Sequence, residues 1–244
     1  MLSAKPWQGE AVLQFCGAQL LCFFFGLTLV GLLQRTGLAA FQPPGGYGAV
    51  LLATLGFQGA TWALMPFFLR QHQVGWREAL GFRGPQLPRA LLTAAGLTIL
   101  ILPAVWLLQF ASVWSLARLG WPPEEQAAVA LIAGAKTWWM RLYLGVFAVV
   151  LAPVAEEFIF RGVLFPWVKQ HDSPRCAWYG VSALFALIHL DAATLVPLFV
   201  LALALTWLYE RTDNLLAPIT LHSLFNLANL VLLFGAQNVS VPSK

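Results

Sequence analysis

Long apolar runs recur along almost the whole chain, and they constrain its fold more than any other feature. The runs lie at about residues 11–33, 47–69, 90–110, 138–166, 174–190, 193–209 and 214–234. Most of them approach the roughly 20 residues that a helix needs to cross the hydrocarbon core of a bilayer. A backbone inside that core must satisfy its hydrogen bonds internally, so the runs predict helices. We therefore expect an all-α bundle of about seven transmembrane spans, within a range of roughly six to eight.

Charged residues are too few for a soluble domain. Of 244 residues, 59% are hydrophobic and only 10% are charged, whereas soluble domains carry about 25% charged residues. This balance indicates a polytopic membrane protein in a lipid bilayer. We interpret the net charge of +4 as loop lysine and arginine facing anionic lipid, and we expect no nucleic-acid partner. The cysteines show no paired spacing, and we assign them no role.

The distribution of basic residues predicts an orientation. With seven spans, the N-terminus and the even-numbered loops hold eight basic residues: Lys5, Arg70, Arg77, Arg83, Arg89, Lys169, Arg175 and Arg211. The other side holds five: Arg35, Arg118, Lys136, Arg141 and Lys244. Because cytoplasmic loops carry an excess of lysine and arginine, this bias favours a cytoplasmic N-terminus. The first apolar run is longer than a signal-peptide core, so we expect it to be retained as the first span.

Three charged residues lie in the middle of the fourth apolar run. Glu156, Glu157 and Arg161 have fully apolar segments on both sides. Each such group costs at least about 2.5 kcal/mol on membrane-insertion scales, and chains keep them where they face a bundle interior and have a function there. Glu157 and Arg161 are i and i+4, so they share a helix face and are expected to pair. Glu156 points about 100° away, which suggests one glutamate for structure and one for chemistry.

Further polar groups lie in later apolar runs. His189 ends the sequence Phe185-Ala-Leu-Ile-His189, and His222 and Asn226 are i and i+4 on another predicted helix. Taken alone, a histidine in a span can simply hydrogen-bond a carbonyl group, and an asparagine commonly links two helices. Together with two carboxylates in one bundle, these residues predict a polar site built from three helices.

Two kinds of chemistry fit this set of residues. A carboxylate can take a proton from water as a general base, while histidine and asparagine orient the water or stabilise an oxyanion. Alternatively, Glu156, His189 and His222 would hold a divalent metal, such as zinc, that acidifies the water. Either route leads to hydrolysis of an amide bond. The chain has no HExxH motif, no GxSxG motif and no glycine-rich phosphate loop.

Three motifs on successive predicted helices carry a family resemblance. They are Glu156-Glu157-x-x-x-Arg161, Phe185-x-x-x-His189 and His222-x-x-x-Asn226. In this order they resemble the CPBP intramembrane protease family, which includes the type II CAAX prenyl endopeptidases and the bacterial Abi proteins. All three motifs are complete, and the match covers about residues 140–230. The N-terminal half adds only the segment from Arg77 to Arg83, which is similar to a basic loop of many members.

The resemblance implies an α-helical intramembrane endopeptidase whose site opens to the cytosol. Glu156 would activate the water, the Glu157–Arg161 pair would hold the helix geometry, and Phe185 would form part of the pocket wall. The other expected catalytic residues are His189, His222 and Asn226. The family includes members described as metal-dependent and members described as glutamate-dependent. The resemblance therefore leaves open whether Glu156, His189 and His222 hold zinc or another divalent metal.

The resemblance also implies a substrate, a location and a division of the chain. The substrate would be a membrane-associated protein or peptide, with or without a prenylated CAAX-type C-terminus. The location would be a prokaryotic plasma membrane. We expect one membrane domain over residues 1–244, with supporting spans and loops in 1–137 and catalytic helices in 138–234.

Two other functions remain compatible with the same residues. Bacterial relatives associated with bacteriocin self-protection make a non-enzymatic scaffold or immunity-type protein the main alternative. Buried carboxylates and histidines also serve as relays in proton-coupled carriers. The sequence shows no inverted repeat and no pair of interrupted helices, which argues against a carrier.

Overall fold

The computed structural model describes residues 2–42, 47–82, 86–121, 127–135 and 137–239, and within these ranges the regular secondary structure is entirely helical. The helices are α1 (Gly9–Arg35), α2 (Gly48–Gln71), α3 (Trp76–Leu80), α4 (Leu87–Arg118), α5 (Ala127–Ala133), α6 (Trp138–His171), α7 (Pro174–Leu187), α8 (Ala192–Thr212) and α9 (Leu216–Val239). A short 3₁₀ turn covers Ala39–Phe41. The expected all-α architecture is therefore confirmed.

Six of the described helices are long and apolar enough to cross a membrane: α1, α2, α4, α6, α8 and α9. The chain is thus a multi-pass helical membrane protein. The run at 174–190, expected as a further span, forms the shorter α7, whose 14 residues extend about 21 Å against a hydrocarbon core of about 30 Å. The helix ends early because Leu190 adopts a positive φ of 52° and Asp191 caps the start of α8.

Helices α6 and α8 lie at the centre of the bundle. In each of them, 44% of the residues in the most apolar 18-residue stretch are buried, a larger share than in the other membrane-length helices of the described chain. One apolar core joins α1, α2, α6, α7 and α8 around Phe68, Phe158 and Phe185. A second joins α4, α8 and α9 around Leu201 and Leu221. Glu156, Glu157 and Arg161 of α6 are buried and therefore face protein rather than lipid.

Two of the membrane-length helices contain π-helical segments. They are Leu55–Gly59 in α2, and Phe147–Leu151 and Phe158–Leu164 in α6. A π turn widens the helix and weakens the regular i→i−4 bonding, so that carbonyl groups become available to side chains. Among the described residues, side chains of other helices or segments donate to four such carbonyls, those of Phe57, Ala148, Leu151 and Gly162. Each π segment is thereby tied to a neighbouring part of the chain.

Four segments meet at the end of the bundle that carries the N-terminus, which we call the N-terminal end. The backbone N–H of Gln8 donates to His72 Nε2 (3.0 Å), just after α2. Gln170, near the end of α6, donates to the Lys5 carbonyl (3.3 Å). Lys5 also forms a 2.7 Å ion pair with Asp213, just after α8. The segments following α2, α6 and α8 therefore share one side of the bundle, as the expected order of spans requires.

The carboxylate of Asp213 holds the N-terminal segment at this end. Partial burial by itself would raise the pKa of the Asp213 carboxyl, but hydrogen bonds from Lys5 and Ser3 outweigh that effect and hold the pKa below its usual value.

Three residues used to predict the orientation, Arg83, Lys136 and Lys244, lie outside the described residues.

Candidate active site in the membrane-embedded bundle

The ion pair between Glu157 and Arg161, expected from their spacing, is present at the centre of the bundle. Arg161 Nη1 lies 3.0 Å from Glu157 Oε1, and both side chains are fully buried. The guanidinium group also donates to the carbonyl of Ala202 (3.0 Å) and to Thr206 Oγ1 (3.4 Å), both on α8. It lies 4.7 Å from the centre of the Phe185 ring. These contacts join α6 to α7 and α8, so the pair fixes the position of α6.

His222 of α9 connects the two adjacent glutamates. Its Nδ1 lies 2.8 Å from Glu157 Oε1, and because an ionised carboxylate only accepts hydrogen bonds, Nδ1 carries the hydrogen. Its other nitrogen, Nε2, lies 3.8 Å from Glu156 Oε2. The residue is only 4% exposed. The sequence analysis assigned Glu157 to Arg161 alone, whereas the structure shows that the same carboxylate oxygen also orients His222.

Glu156 has a second partner that the sequence analysis missed. Gln58 of α2 donates its Nε2–H to Glu156 Oε1 (3.3 Å). Glu156 is 8% exposed, so this amide and His222 provide its polar surroundings within the described chain. The only sequence signal for Gln58 is a polar amide within an apolar run, and interhelical amides are common enough in membranes for that signal to be weak.

His189 lies at the end of α7 and does not join the cluster around His222. Its Nδ1 donates to the carbonyl of Phe185 (2.8 Å), as a lone histidine in a span is expected to do. The Phe185 ring is 5.0 Å from the His189 ring and 5.8 Å from the His222 ring. Phe185 is fully buried, and its ring contacts both histidine rings.

Asn226 lies one turn after His222 on α9 and links two helices. Its Nδ2 donates to the carbonyl of Ala148 (2.8 Å), in the first π segment of α6. An amide NH₂ group has two hydrogens, so one N–H and the carbonyl oxygen remain available for other partners. This contact links two helices, as expected for an isolated asparagine in a membrane span. It fixes the axial position of α9 relative to α6.

The three residues expected to hold a metal do not form a metal site in this arrangement. Glu156 and His222 approach each other, but His189 bonds to the backbone of its own helix. Across the described ranges, no group of three or more His, Cys, Asp or Glu side chains is gathered closely enough to hold a metal ion. Zinc sites use three or four protein ligands at about 2.0–2.3 Å from the metal, and only two of the expected ligands are adjacent here.

The contacts form one continuous polar chain from Arg161 through Glu157 and His222 to Glu156. Each member is buried. Hydrogen bonds join Arg161 to Glu157 and Glu157 to His222, and His222 Nε2 lies 3.8 Å from Glu156 Oε2. One carboxyl oxygen in this network, Glu157 Oε2, is buried and has no hydrogen-bond partner among the described residues. The result is an oriented imidazole facing a carboxylate with which no lysine or arginine of the described residues forms an ion pair, inside an apolar bundle.

The region that contains these polar residues is similar to a known protein family. Residues 137–228 match the family model described as "Rce1-like: Type II CAAX prenyl endopeptidase Rce1-like". All of the motif residues, from Glu156 to Asn226, lie inside that match. The resemblance inferred from the motifs is therefore confirmed for this part of the chain, and the residues before α6 lie outside it.

A curated relative is similar over a shorter stretch. The UPF0177 protein YxdF of Lactococcus lactis subsp. lactis (strain IL1403) is 30% identical over 79 residues, which are 32% of this chain and 43% of that protein. The chain thus spans less than half the length of this relative. No solved structure matches the chain.

Proposed function

We propose that this protein is an intramembrane endopeptidase that hydrolyses peptide bonds of membrane-associated proteins through a water activated by Glu156. The observation that carries the proposal is that two hydrogen-bond acceptors, one on His222 and one on Glu156, face each other in the site. Because Nδ1 of His222 donates to Glu157, a neutral imidazole leaves Nε2 as an acceptor. This acceptor lies 3.8 Å from the carboxylate oxygen Oε2 of Glu156.

A water molecule satisfies both acceptors at once. It would donate one hydrogen to Glu156 Oε2 and the other to His222 Nε2, and its lone pairs would then face a substrate carbonyl. As the water oxygen attacks the carbonyl carbon, Glu156 takes the proton. When the tetrahedral intermediate collapses, the C–N bond breaks and the protonated Glu156 returns this proton to the leaving amine. The step needs no further reactant.

The other residues of the polar chain act through His222. The Glu157 carboxylate fixes the hydrogen of His222 on Nδ1, and Arg161 holds Glu157 in place. A carboxylate behind an imidazole fixes its tautomer and ring orientation. This support is what keeps Nε2 available as an acceptor for the water.

We assign oxyanion stabilisation to Asn226. Asn226 has one N–H that its bond to Ala148 leaves available, and it lies one helical turn from His222. Donors of this kind lower the barrier by stabilising the charge that develops on the substrate oxygen. Because His189 donates its Nδ1–H to the Phe185 carbonyl, a neutral His189 has no further hydrogen to donate. Its ring borders the same Phe185 ring as His222, and we assign His189 to the wall of the site beside α7.

The substrate class follows from the location of the site and from the family resemblance. The polar chain lies among helices long enough to cross a membrane, so a substrate must reach it from the bilayer or its surface. Residues 137–228 are similar to type II CAAX prenyl endopeptidases, which supports proteins with a prenylated C-terminal segment as candidate substrates. We place the opening of the site on the cytoplasmic side, in line with the positive-inside bias.

A cleavage assay with paired variants tests the proposal. Purified protein would be incubated with a prenylated membrane peptide and with its unprenylated counterpart. We expect Glu156→Gln and His222→Ala to lower kcat by about 100-fold or more, the range typical of general acid–base groups. Glu10→Gln and His171→Ala, at exposed positions, are the matched controls and should keep wild-type activity. Full activity of Glu156→Gln would exclude the mechanism.

Two further measurements separate this proposal from its alternatives. Elemental analysis of wild-type protein and of His189→Ala would show whether a stoichiometric metal depends on His189; the geometry predicts the same metal content in both. An in vivo assay of Glu156→Ala distinguishes a peptidase from a scaffold or immunity-type protein. Retained function of that variant would favour the non-enzymatic alternative, whereas loss of function supports the peptidase.

A further inference from the structure

The site contains one polar side chain from outside the region that resembles known peptidases. Gln58 lies on α2, far before residues 137–228, and its amide donates to Glu156 Oε1 (3.3 Å). We infer that Gln58 is a positioning residue that orients the Glu156 carboxylate, so that the first half of the chain contributes directly to the site. This inference rests on the proposed role of Glu156 as the general base.

The contact fixes the plane of the Glu156 carboxylate relative to His222. Gln58 bonds Oε1, while Oε2 is the oxygen 3.8 Å from His222 Nε2. Without the amide, the carboxylate would be free to rotate about its terminal bond, whose torsion is broad. One interhelical hydrogen bond therefore directs the basic oxygen toward the water position.

A network within α1 and α2 holds Gln58 in this position. Gln58 lies in the π segment Leu55–Gly59, and the carbonyl of the preceding Phe57 accepts from Gln19 Nε2 (2.7 Å) and from Thr61 Oγ1 (2.9 Å). The single Thr61 hydroxyl hydrogen is shared with Gln19 Oε1 (3.3 Å), and both side chains are buried. These three bonds form a closed triangle that stabilises the π turn.

Close contact between two glycines sets the rotation of α2 against α1. A Cβ on Gly56 would lie 3.1 Å from the carbonyl oxygen of Cys22, and a Cβ on Gly26 would lie 3.3 Å from Gly56 Cα. Small residues allow membrane helices to approach closely. This approach keeps Gln19 within reach of the π turn, and Gln58, one residue after Phe57, is directed toward α6.

Kinetics of Gln58→Leu test the inference against a matched control. The change removes the amide and leaves an apolar side chain of similar size. We expect kcat to fall by about tenfold to 100-fold, as for other small misplacements of reacting groups. KM should stay within about twofold, because the amide does not bind substrate. Gln71→Leu, the same change at an exposed position of α2, should leave both constants unchanged.

Infrared spectroscopy gives a readout that does not depend on catalysis. The difference spectrum between wild type and Glu156→Gln isolates the carboxyl bands of Glu156. Gln58→Leu should shift these bands and Gln71→Leu should not. If the bands shift but the wild type cleaves no peptide, the proposed function fails while the positioning contact is supported.

Two results would overturn the inference itself: Glu156 bands unchanged in Gln58→Leu, or a kcat for Gln58→Leu equal to that of Gln71→Leu. If Gln58→Leu does not fold, Gln58→Asn replaces it, since it keeps an amide on a shorter side chain. Its kcat should then fall below that of the wild type at unchanged KM, and its bands should shift; wild-type values of both would reject the role of Gln58.

Discussion

At the scale of single residues, the buried pair of Glu157 and Arg161 is costly to remove from water and is supported by several hydrogen bonds. Two charges removed from water require strong mutual attraction and additional hydrogen bonds to remain favourable. Arg161 donates hydrogen bonds to the Ala202 carbonyl and to Thr206 on α8, and Glu157 accepts one from His222. The pair therefore stabilises the fold and orients the imidazole at the same time.

We predict that Arg161→Met is strongly destabilising because it leaves Glu157 as an uncompensated buried charge. Removing one partner of a buried pair typically costs about 3–5 kcal/mol. Thermal unfolding in detergent would measure the loss. Arg211→Met, at an exposed position, is the control and should change the melting temperature little. In the double variant Glu157→Gln/Arg161→Met both charges are removed, so part of the stability should return; no recovery would show that charge is not the cause.

At the scale of helices, the π segments explain how long apolar helices can hold a polar site. Each segment offers a carbonyl to a side chain from elsewhere: Phe57 to Gln19, Ala148 to Asn226, and Gly162 to Trp7. In hydrocarbon, a carbonyl left without a partner is costly. Each π turn therefore requires a side-chain donor for its freed carbonyl, and the π turns and their donors surround the residues of the candidate site.

We predict that Trp7→Phe destabilises the protein more than Trp167→Phe. Trp7 Nε1 donates to the carbonyl of Gly162 (2.7 Å), and its loss leaves a buried acceptor unsatisfied at about 1–3 kcal/mol. Trp167 Nε1 is buried with no hydrogen-bond partner in the described part of the chain, so the same change there removes no bond. Melting temperatures of both variants would decide. Equal losses would show that the hydrogen bond to Gly162 contributes nothing.

At the scale of the whole molecule, the N-terminal end is where segments distant in sequence are joined. Lys5 pairs with Asp213, Lys169 pairs with Glu210, and Asn214 donates to the carbonyl of Gly81 (2.8 Å). Gly81 has a φ of 84°, and a Cβ there would clash with the Asn214 side chain. These contacts place the turns after α2, α6 and α8 on the same side of the membrane as the N-terminus.

We predict that this side is cytoplasmic. In a variant without Cys16, Cys22 and Cys176, a single cysteine would replace Gly75 near the N-terminal end or Leu119 after α4. Both positions are exposed. A membrane-impermeant thiol reagent added to intact cells should label Leu119→Cys only, and Gly75→Cys should react after the cells are opened. The reverse pattern would show that the bias in basic residues does not set the orientation here.

The sequence by itself determined the features that depend on local spacing. Apolar runs predicted the membrane helices because length and hydropathy are properties of a segment. The i, i+4 spacing predicted the Glu157–Arg161 pair, because four residues bring two side chains to the same face of any helix. The three motifs predicted the family resemblance, which the match over residues 137–228 confirms for that region.

Only the tertiary structure decided which residues of different helices meet. It gave Glu156 its partner Gln58 and gave Glu157 the second partner His222. It also bonded His189 to the backbone carbonyl of Phe185 and shortened the run at 174–190 to α7. Such contacts depend on the rotation and the axial offset of each helix against its neighbours. Those quantities are set by packing, by π turns and by close glycine contacts between helices, and spacing along one apolar run does not encode them.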